Sequence, residues 1–103
     1  MNQLNQIILE GAIVDKKELT TLTDKNVTLE FTLRYIRHSK NSAGETEKLL
    51  YDFPVVARGE TAKMLSKSKT GTKLRLVGFC SMIANKVVIE AEYIEYRPVF
   101  SAK

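Results

Sequence analysis

Apolar and polar residues alternate at two-residue spacing over two stretches of this chain. The apolar positions of the first stretch are Val27, Leu29, Phe31, Leu33 and Tyr35. Those of the second are Leu49, Tyr51, Phe53, Val55 and Ala57. Because successive side chains of a strand point to opposite faces, each stretch predicts a strand with one buried and one solvated face. The polar, glycine-containing residues 39–47 between them predict the loop of a long hairpin.

Three further strands are predicted outside this hairpin. The first covers residues 7–14 and the fourth covers residues 73–80, and each has a glycine near its middle, Gly11 or Gly78. A glycine inside a strand marks a bulge, a bend or the close approach of another backbone. The fifth strand alternates around Ile89 after a short turn at residues 83–86.

One short helix is predicted between the third and fourth strands. Ala62, Met64 and Leu65 recur at roughly helical spacing in residues 61–67, and Thr61 is a candidate N-cap. This order of elements is typical of a small, strongly bent Greek-key barrel. We therefore expect an all-β, five-stranded oligonucleotide/oligosaccharide-binding (OB) fold. Residues 1–103 are long enough for one core and too short for a second, so they predict a single domain.

The composition narrows the classes of partner and location. Lys and Arg number 16 against 12 Asp and Glu, a net charge of +4 that favours nucleic acid first and an anionic membrane second. Cys80 is the single cysteine, which excludes an intramolecular disulfide, and by alternation it is a small core residue. No apolar stretch approaches the roughly 20 residues of a membrane span, and residues 1–5 lack a signal-peptide profile. We expect a cytoplasmic protein that does not contact a membrane.

The sequence contains no pattern that predicts catalysis. It has no glycine-rich phosphate loop, no paired cysteines and no nucleophile with an adjacent base. His38 is the only histidine, and no further metal ligands cluster near it. Glu90 and Glu92 share one face of the fifth strand, where a solvated face is favoured over a metal site. We therefore expect neither an enzyme nor a cofactor.

The aromatic residues divide by their position in the alternation. Tyr35, Tyr51 and Phe53 fall on the buried face, so core filling is favoured over contact with a ligand. Phe79 lies opposite Leu74 on the outer face, where base stacking and packing against a partner subunit remain equally open. Tyr93 and Tyr96 are likewise candidates for either role.

Several segments resemble bacterial single-stranded DNA-binding proteins in order and spacing, over nearly the whole chain. Residues 5–11 (NQIILEG) resemble the family's N-K-V-I-L-x-G start, and residues 31–33 (FTL) its second strand. Residues 55–59 (VVARG), followed by Ala62 and Lys63, are similar to V-V-x-F-G…A-E, and residues 70–78 (TGTKLRLVG) to K-G-S-x-V-x-V-x-G. A related branch, the primosomal replication proteins N, is similar at residues 53–55 (FPV), 78–81 (GFCS) and 91–95 (AEYIE).

The resemblance implies a homo-oligomer, either a homodimer or a homotetramer, that wraps single-stranded DNA in replication, repair or recombination. Replication or primosome proteins would be further partners, and the location would be cytoplasmic and nucleoid-associated. The resemblance also places Ser39 and Asp52 where the family has base-stacking tryptophans, whereas this chain contains no tryptophan. We therefore expect binding mainly through a basic groove that neutralises successive phosphates.

The candidate nucleic-acid-binding residues are Arg34, Arg37, His38, Lys40, Lys48, Arg58, Lys73, Arg75, Phe79 and Lys86. Arg37 and Lys40 are expected in or beside the loop, Lys48 at the start of the third strand and Lys86 in the last turn. Two alternatives stay open: a primosomal accessory protein that binds single-stranded DNA and a helicase-loading partner, and a protein-interaction OB module that does not bind nucleic acid. On the second alternative, the outer charges only keep the barrel solvated.

Overall fold

The computed structural model describes residues 4–21 and 26–96, which form mainly strands. The elements are β1 (Ile7–Lys16), β2 (Thr20–Thr21), β3 (Val27–Lys40), β4 (Thr46–Arg58), α1 (Gly59–Ser66), β5 (Lys73–Ile83) and β6 (Lys86–Tyr96). All five predicted strands and the predicted helix are present, and the two-residue β2 is an addition to the prediction. The polar residues 23–26 (TDKN) also predict a turn into β3, and residues 23–25 lie outside the described residues.

The sheet closes on itself as a five-stranded barrel. Its strand order is β1-β5-β6-β4-β3, and a second pairing of β1 with β3 completes the circle. The β4–β6 pairing is parallel and the other pairings are antiparallel. The short β2 pairs only with β3. The predicted OB fold is therefore confirmed, with its helix between β4 and β5, the third and fourth strands of the barrel.

The core consists of inward-facing residues from every barrel strand together with one face of α1. Its buried members are Ile13, Val27, Leu29, Phe31, Leu33, Val55, Ala57, Ala62, Leu65, Leu74, Leu76, Ile89 and Ile94. Full burial of a large aliphatic side chain contributes about 1.5–3 kcal/mol, so this cluster is the main source of stability.

One irregularity changes which side of β6 faces the core. Val77 pairs with Tyr93, but the next residue, Gly78, pairs with Ala91, so Glu92 is an extra residue on β6. This bulge reverses the alternation, because it places Ile94 rather than Tyr93 in the core. Simple alternation along the fifth predicted strand does not anticipate that reversal.

The two mid-strand glycines allow neighbouring backbones to approach closely. A Cβ built on Gly11 would overlap the carbonyl oxygen of Arg34, and one built on Gly78 would overlap that of Glu90. Of the alternatives predicted for these glycines, close approach is therefore observed at both positions.

Helix α1 closes one end of the barrel. It begins at Gly59 rather than at residue 61, and its N-cap is Arg58, without a side-chain capping bond, so Thr61 is not the cap. The positive φ of Gly59 (65°) turns the chain directly from β4 into the helix. The Lys16 ammonium group donates to the carbonyl oxygens of Leu65 and Ser66, at the C-terminal end of α1, and of Ser68, just beyond it. No helix within 4–21 and 26–96 is long and apolar enough to cross a membrane.

At the opposite end of the barrel, β3 and β4 continue outward as a two-stranded ribbon. Pairing of β3 with β1 stops at Arg34, and pairing of β4 with β6 covers only residues 55–57. We call residues 35–51 the arm. The predicted loop 39–47 is therefore too long, because both strands continue and only residues 41–45 form the turn. The Asn41 Oδ1 atom accepts hydrogen bonds from the amides of Ala43 and Glu45, at 2.9 and 3.0 Å, which stabilises this tight turn.

Four residues that alternation assigned to the core lie at or beyond this end of the barrel. Cys80 and Tyr51 are exposed, whereas Tyr35 and Phe53 are half-buried. Alternation assigned these residues to the correct face of the sheet, but their strands extend beyond the part of the barrel in which other elements cover that face. The prediction that Cys80 and Tyr51 are core residues is therefore wrong.

Candidate nucleic-acid interface

The outer face of the arm continues the outside of the barrel and carries unpaired cations. Its residues are the even-numbered positions of both strands: Ile36, His38, Lys40, Thr46, Lys48 and Leu50. His38 lies directly opposite Lys48, and Lys40 is opposite Thr46. Among the residues described, Lys40 and Lys48 have no carboxylate within ion-pair distance. This face is therefore positively charged and open to an anionic ligand.

At the base of the arm, Arg34 is held by a carboxylate on the facing strand. Its Nε and Nη2 atoms donate to the two oxygens of Asp52, at 2.8 and 3.0 Å. The hydrogen bond from Arg34 lowers the pKa of Asp52 below its ordinary value, and the same bond raises the pKa of the guanidinium. A paired arginine has donors left over, but its net charge toward an incoming phosphate is largely cancelled.

A shallow groove of about 340 Å³ lies beside Arg34 on the outer surface. Arg34 is paired with Ala12 of β1, which is paired in turn with Lys73 of β5. Arg34 and Lys73 are therefore two strands apart, or roughly 10 Å. The groove is lined by Glu10, Gly11, Ala12, Arg34, Ile36, Lys73 and Leu74. We call it the Arg34–Lys73 groove, and through Ile36 it adjoins the outer face of the arm.

Arg75 lies one row further along β5, between two acidic residues. It donates to Glu10 from Nε and Nη2, at 2.9 and 2.7 Å, and to Glu95 from Nη1 at 3.4 Å. The bond to Glu10 is the main reason why the pKa of Arg75 is raised. This Glu10–Arg75–Glu95 ladder crosses β1, β5 and β6 and has no excess positive charge.

The remaining candidates lie elsewhere on the molecule. Arg37 is exposed on the inner face of the arm, whereas Lys40 and Lys48 are on its outer face. Arg58 donates to Glu90 at 3.2 Å, where β4 lies beside β6. Phe79 of β5 is half-buried and pairs across the strands with Glu90 of β6. Hydrogen bonds from Ser81 and then Arg58 lower the pKa of Glu90. Lys86 begins β6 beside the Ala84–Asn85 turn, at the tip of a second hairpin.

The structure therefore brings only part of the predicted set together. Arg34, His38, Lys40, Lys48 and Lys73 share one continuous side of the molecule, and Arg75 borders it. Arg58, Phe79 and Lys86 are on other walls, and Arg37 is on the reverse of the arm. A single groove through all the candidates is not formed. The roles of the individual residues stay predictions.

Asp52, Ile36 and Leu50 belong to this side of the molecule but were not among the predicted residues. Ile36 and Leu50 form a cross-strand pair and are 43% and 50% exposed, although both are large and apolar. The position of the hairpin turn in the sequence could have identified Asp52 as the partner of Arg34. Arg34 and Asp52 lie at equal distances along the chain from Ala43, so a hairpin turning there must pair them.

Comparison with solved structures places this barrel among known OB folds. The protein PriB from Ralstonia solanacearum is 17% identical, with a TM-score of 0.78 over 93% of this chain and 100% of that one. The Plasmodium falciparum SSB, solved in complex with single-stranded DNA, is 13% identical, with a TM-score of 0.78 over 95% and 98% of the chains. A deletion mutant of the single-stranded DNA-binding protein from Thermus aquaticus is 18% identical, with a TM-score of 0.76 over 92% of this chain and 51% of that one.

These neighbours have the fold that the sequence resemblance predicted, and at such identities the likeness shows the fold alone. By sequence, no family model matches the chain and no curated protein matches it. The chain is an OB-fold barrel of the shape found in SSB and PriB proteins.

Proposed function

We propose that this protein binds single-stranded DNA without sequence preference, through the outer face of the arm and the adjoining Arg34–Lys73 groove. The observation that carries the proposal is the row of unpaired cations along one side of an OB barrel. Lys40, Lys48 and Lys73 have no ion-pair partner within 4–21 and 26–96, so they can neutralise phosphates without first breaking a salt bridge. The exposed Ile36–Leu50 pair adds apolar surface that an unpaired base can cover.

The structural neighbours support the same proposal, since they are described as single-stranded DNA-binding proteins or PriB and not as enzymes. The proposal includes a role in replication, repair or recombination and a cytoplasmic, nucleoid-associated location. A primosomal accessory role is the second candidate, because this chain covers the full length of the Ralstonia PriB chain.

A homo-oligomer is part of the proposal. Ile8, Val77 and Tyr93 form one cross-strand row on the outside of β1, β5 and β6, and Ile8 and Tyr93 are mostly exposed. An exposed apolar row of this kind marks an association surface. Light scattering after size exclusion should report a dimer or tetramer, and a strictly monomeric protein would overturn this part alone.

The binding proposal is tested by fluorescence anisotropy with a labelled dT oligonucleotide longer than the roughly 4–16 nucleotides that one OB fold covers. We expect affinity to fall steeply as salt rises and duplex DNA to compete poorly. The K40E/K48E double variant should bind at least about tenfold more weakly at low salt. Its salt dependence should be shallower by about 1.4 in slope, since each phosphate contact on a single strand contributes about 0.7.

The matched control is K67E/K69E, which makes the same change of charge in the turn beside α1, at the opposite end of the barrel. It should retain most of the affinity. Equal losses in both double variants would mean that only net charge matters and that the arm is not the site. No binding of dT by the unaltered protein at low salt would favour the protein-interaction module instead.

A further inference from the structure

The inner face of the arm forms a hollow that the proposed binding surface does not use. Odd-numbered residues of β3 and β4 continue the inside of the barrel, and beyond Phe53 no helix among the described residues covers them. The hollow has a volume of about 450 Å³ and is lined by Leu9, Tyr35, Leu49, Tyr51 and Phe53, with Arg37 and Ser39 toward the arm tip. We call it the tyrosine hollow. At the other end of the barrel, Leu65 of α1 is completely buried in the core.

Two aromatic rings stand side by side in this hollow. Tyr35 and Tyr51 are directly opposite each other across the strands, with ring centroids 6.0 Å apart and planes 25° apart. Tyr51 is 43% exposed, so part of its ring remains in contact with solvent. Neither hydroxyl has a hydrogen-bond partner among the described residues. A ring held in place by a neighbour and open to solvent is a preformed platform for a flat ligand.

The charges around the hollow favour an anionic, flat ligand. Arg37 lies on the same face, one alternation step from Tyr35, and is exposed without an ion-pair partner within the described residues. Glu47 of β4 lies on the same face but closer to the turn, where it pairs with Ser39 of β3. Its negative charge limits the positive charge of this face to the Arg37 position. A nucleotide of an unpaired strand matches this arrangement, with its base on the tyrosines and its phosphate on Arg37.

The hollow is also within reach of the outer face of the arm. Residues 35–40 and 46–51 pair only with each other, so both edges of the ribbon are free among the described residues. A strand bound along Lys40 and Lys48 can therefore pass over an edge and place one base on the inner side. We propose that the tyrosine hollow holds an unpaired nucleobase of the bound strand. This inference rests on the proposed function, and it assigns base stacking to the inner face of the arm, the reverse of the face that carries Lys40 and Lys48.

The test compares two probes of equal length, a dT oligonucleotide and one in which several central nucleotides are abasic. If the hollow holds a base, the unaltered protein should prefer the complete dT strand. Tyr51→Leu should lower affinity for dT by roughly tenfold, in the range expected for loss of one stacked base. The same variant should bind the abasic probe as well as the unaltered protein does, and its salt slope should not change.

Two further variants separate stacking from other effects. Tyr51→Phe keeps the aromatic ring and should retain the affinity. Tyr96→Leu removes an exposed tyrosine whose hydroxyl contacts Ser68 beside α1, at the other end of the barrel, and should leave the affinity unchanged. Arg37→Gln should reduce the salt slope by about 0.7, the value for one phosphate on a single strand. Thermal unfolding and light scattering on every variant exclude loss of the fold and report any change of oligomeric state.

The outcomes distinguish this inference from the proposed function. If the unaltered protein binds dT with the expected salt dependence but Tyr51→Leu binds equally well, the hollow is not a base site and the proposed function stands. If Tyr51→Leu changes only the oligomeric state, the hollow is a contact between copies of this chain and the inference is wrong. If the unaltered protein binds no oligonucleotide, the proposed function itself fails.

Discussion

Strands β3 and β4 run through both the barrel and the arm, and the same alternation of side chains continues from one region into the other. Leu33 and Phe53 pair near the end of the barrel, where Leu33 is completely buried. Two residues further along β3, Tyr35 pairs with Tyr51, which is 43% exposed. The difference arises because β1, β5 and α1 cover the barrel part of the ribbon and nothing among the described residues covers the arm. Alternation along a strand therefore shows which residues share a face, whereas burial of that face requires another layer of structure to cover it.

The comparison also separates stability from binding. The barrel contains the buried core and the paired arginines. The arm contains exposed apolar residues and cations that have no ion-pair partner within the described part of the chain. A two-stranded ribbon alone is marginally stable in water. The arm is held by the Asn41 turn and by its continuity with the barrel. Changes in the barrel should therefore act mainly on unfolding, and changes in the arm mainly on ligand affinity.

The largest expected effect comes from the same substitution made in both regions. Leu33→Ala removes a fully buried side chain and should lower the free energy of unfolding by about 2–5 kcal/mol. Leu50→Ala, on the outer face of the arm, should lower it by less than about 1 kcal/mol because that side chain is half exposed. Urea unfolding followed by circular dichroism measures both. Equal losses would show that the arm is covered in solution, for example by another copy of the chain.

A second contrast uses two glycines. Gly11→Ala places a Cβ against the backbone carbonyl of Arg34, where β1 meets β3, and should cost about 1–3 kcal/mol because strands must separate. Gly44→Ala, in the arm turn, meets no atom within 4 Å but has a φ of +81°, so it should cost about 1 kcal/mol. Thermal unfolding ranks the two variants. A larger loss at Gly44 would mean that the arm turn, and not closure of β1 on β3, limits stability.

The Arg34–Asp52 ion pair lies at the border between the barrel and the arm. Asp52→Asn leaves Arg34 without its carboxylate partner, so the guanidinium becomes available to a phosphate. We expect affinity for dT to rise severalfold at low salt, and the salt slope to steepen by about 0.7 for one added phosphate contact. Glu60→Gln, on α1, makes the same change in net charge at the other end of the barrel and is the control. An equal rise in both variants would assign the gain to net charge.

The smallest expected effect is the pH dependence of the Arg34–Asp52 pair. Arg34 lowers the pKa of Asp52 from its ordinary 3.8, so the pair stabilises the folded state fully above that value. This contribution should disappear as the pH falls through the lower pKa of the folded protein, because protonated Asp52 no longer attracts Arg34. Carbon NMR titration of the Asp52 carboxyl gives its pKa directly. A value at or above 3.8 would show that the pair does not persist in solution.

Much of the fold was predictable because its signals are local. Alternation located four of the barrel strands and an apolar stretch located the first, while Gly11 and Gly78 marked the places where backbones approach. The lengths of the arm strands were underestimated because polar residues such as Ser39 and Lys40 continue a ladder as well as apolar ones do. Thr61 was misassigned as a cap because a positive φ at Gly59 starts the helix earlier.

The candidate site was predictable only in part. Alternation along each strand correctly placed Arg34, His38 and Lys73 on outer faces. It could not show how strands that are far apart in sequence are arranged around the barrel. Arg58 and Arg34 share parity on one hairpin, yet each is paired with a carboxylate on a different strand, Glu90 or Asp52. Which cations remain free depends on those cross-strand neighbours.

The amino-acid sequence by itself determined where the strands run and which side chains share a face, since a two-residue period follows from local backbone geometry. Tertiary structure alone decided which of those faces are buried, which arginines are neutralised, and that Ile94 rather than Tyr93 enters the core. These properties depend on the strands that lie alongside, and contacts between residues distant in the chain are set by closure of the barrel.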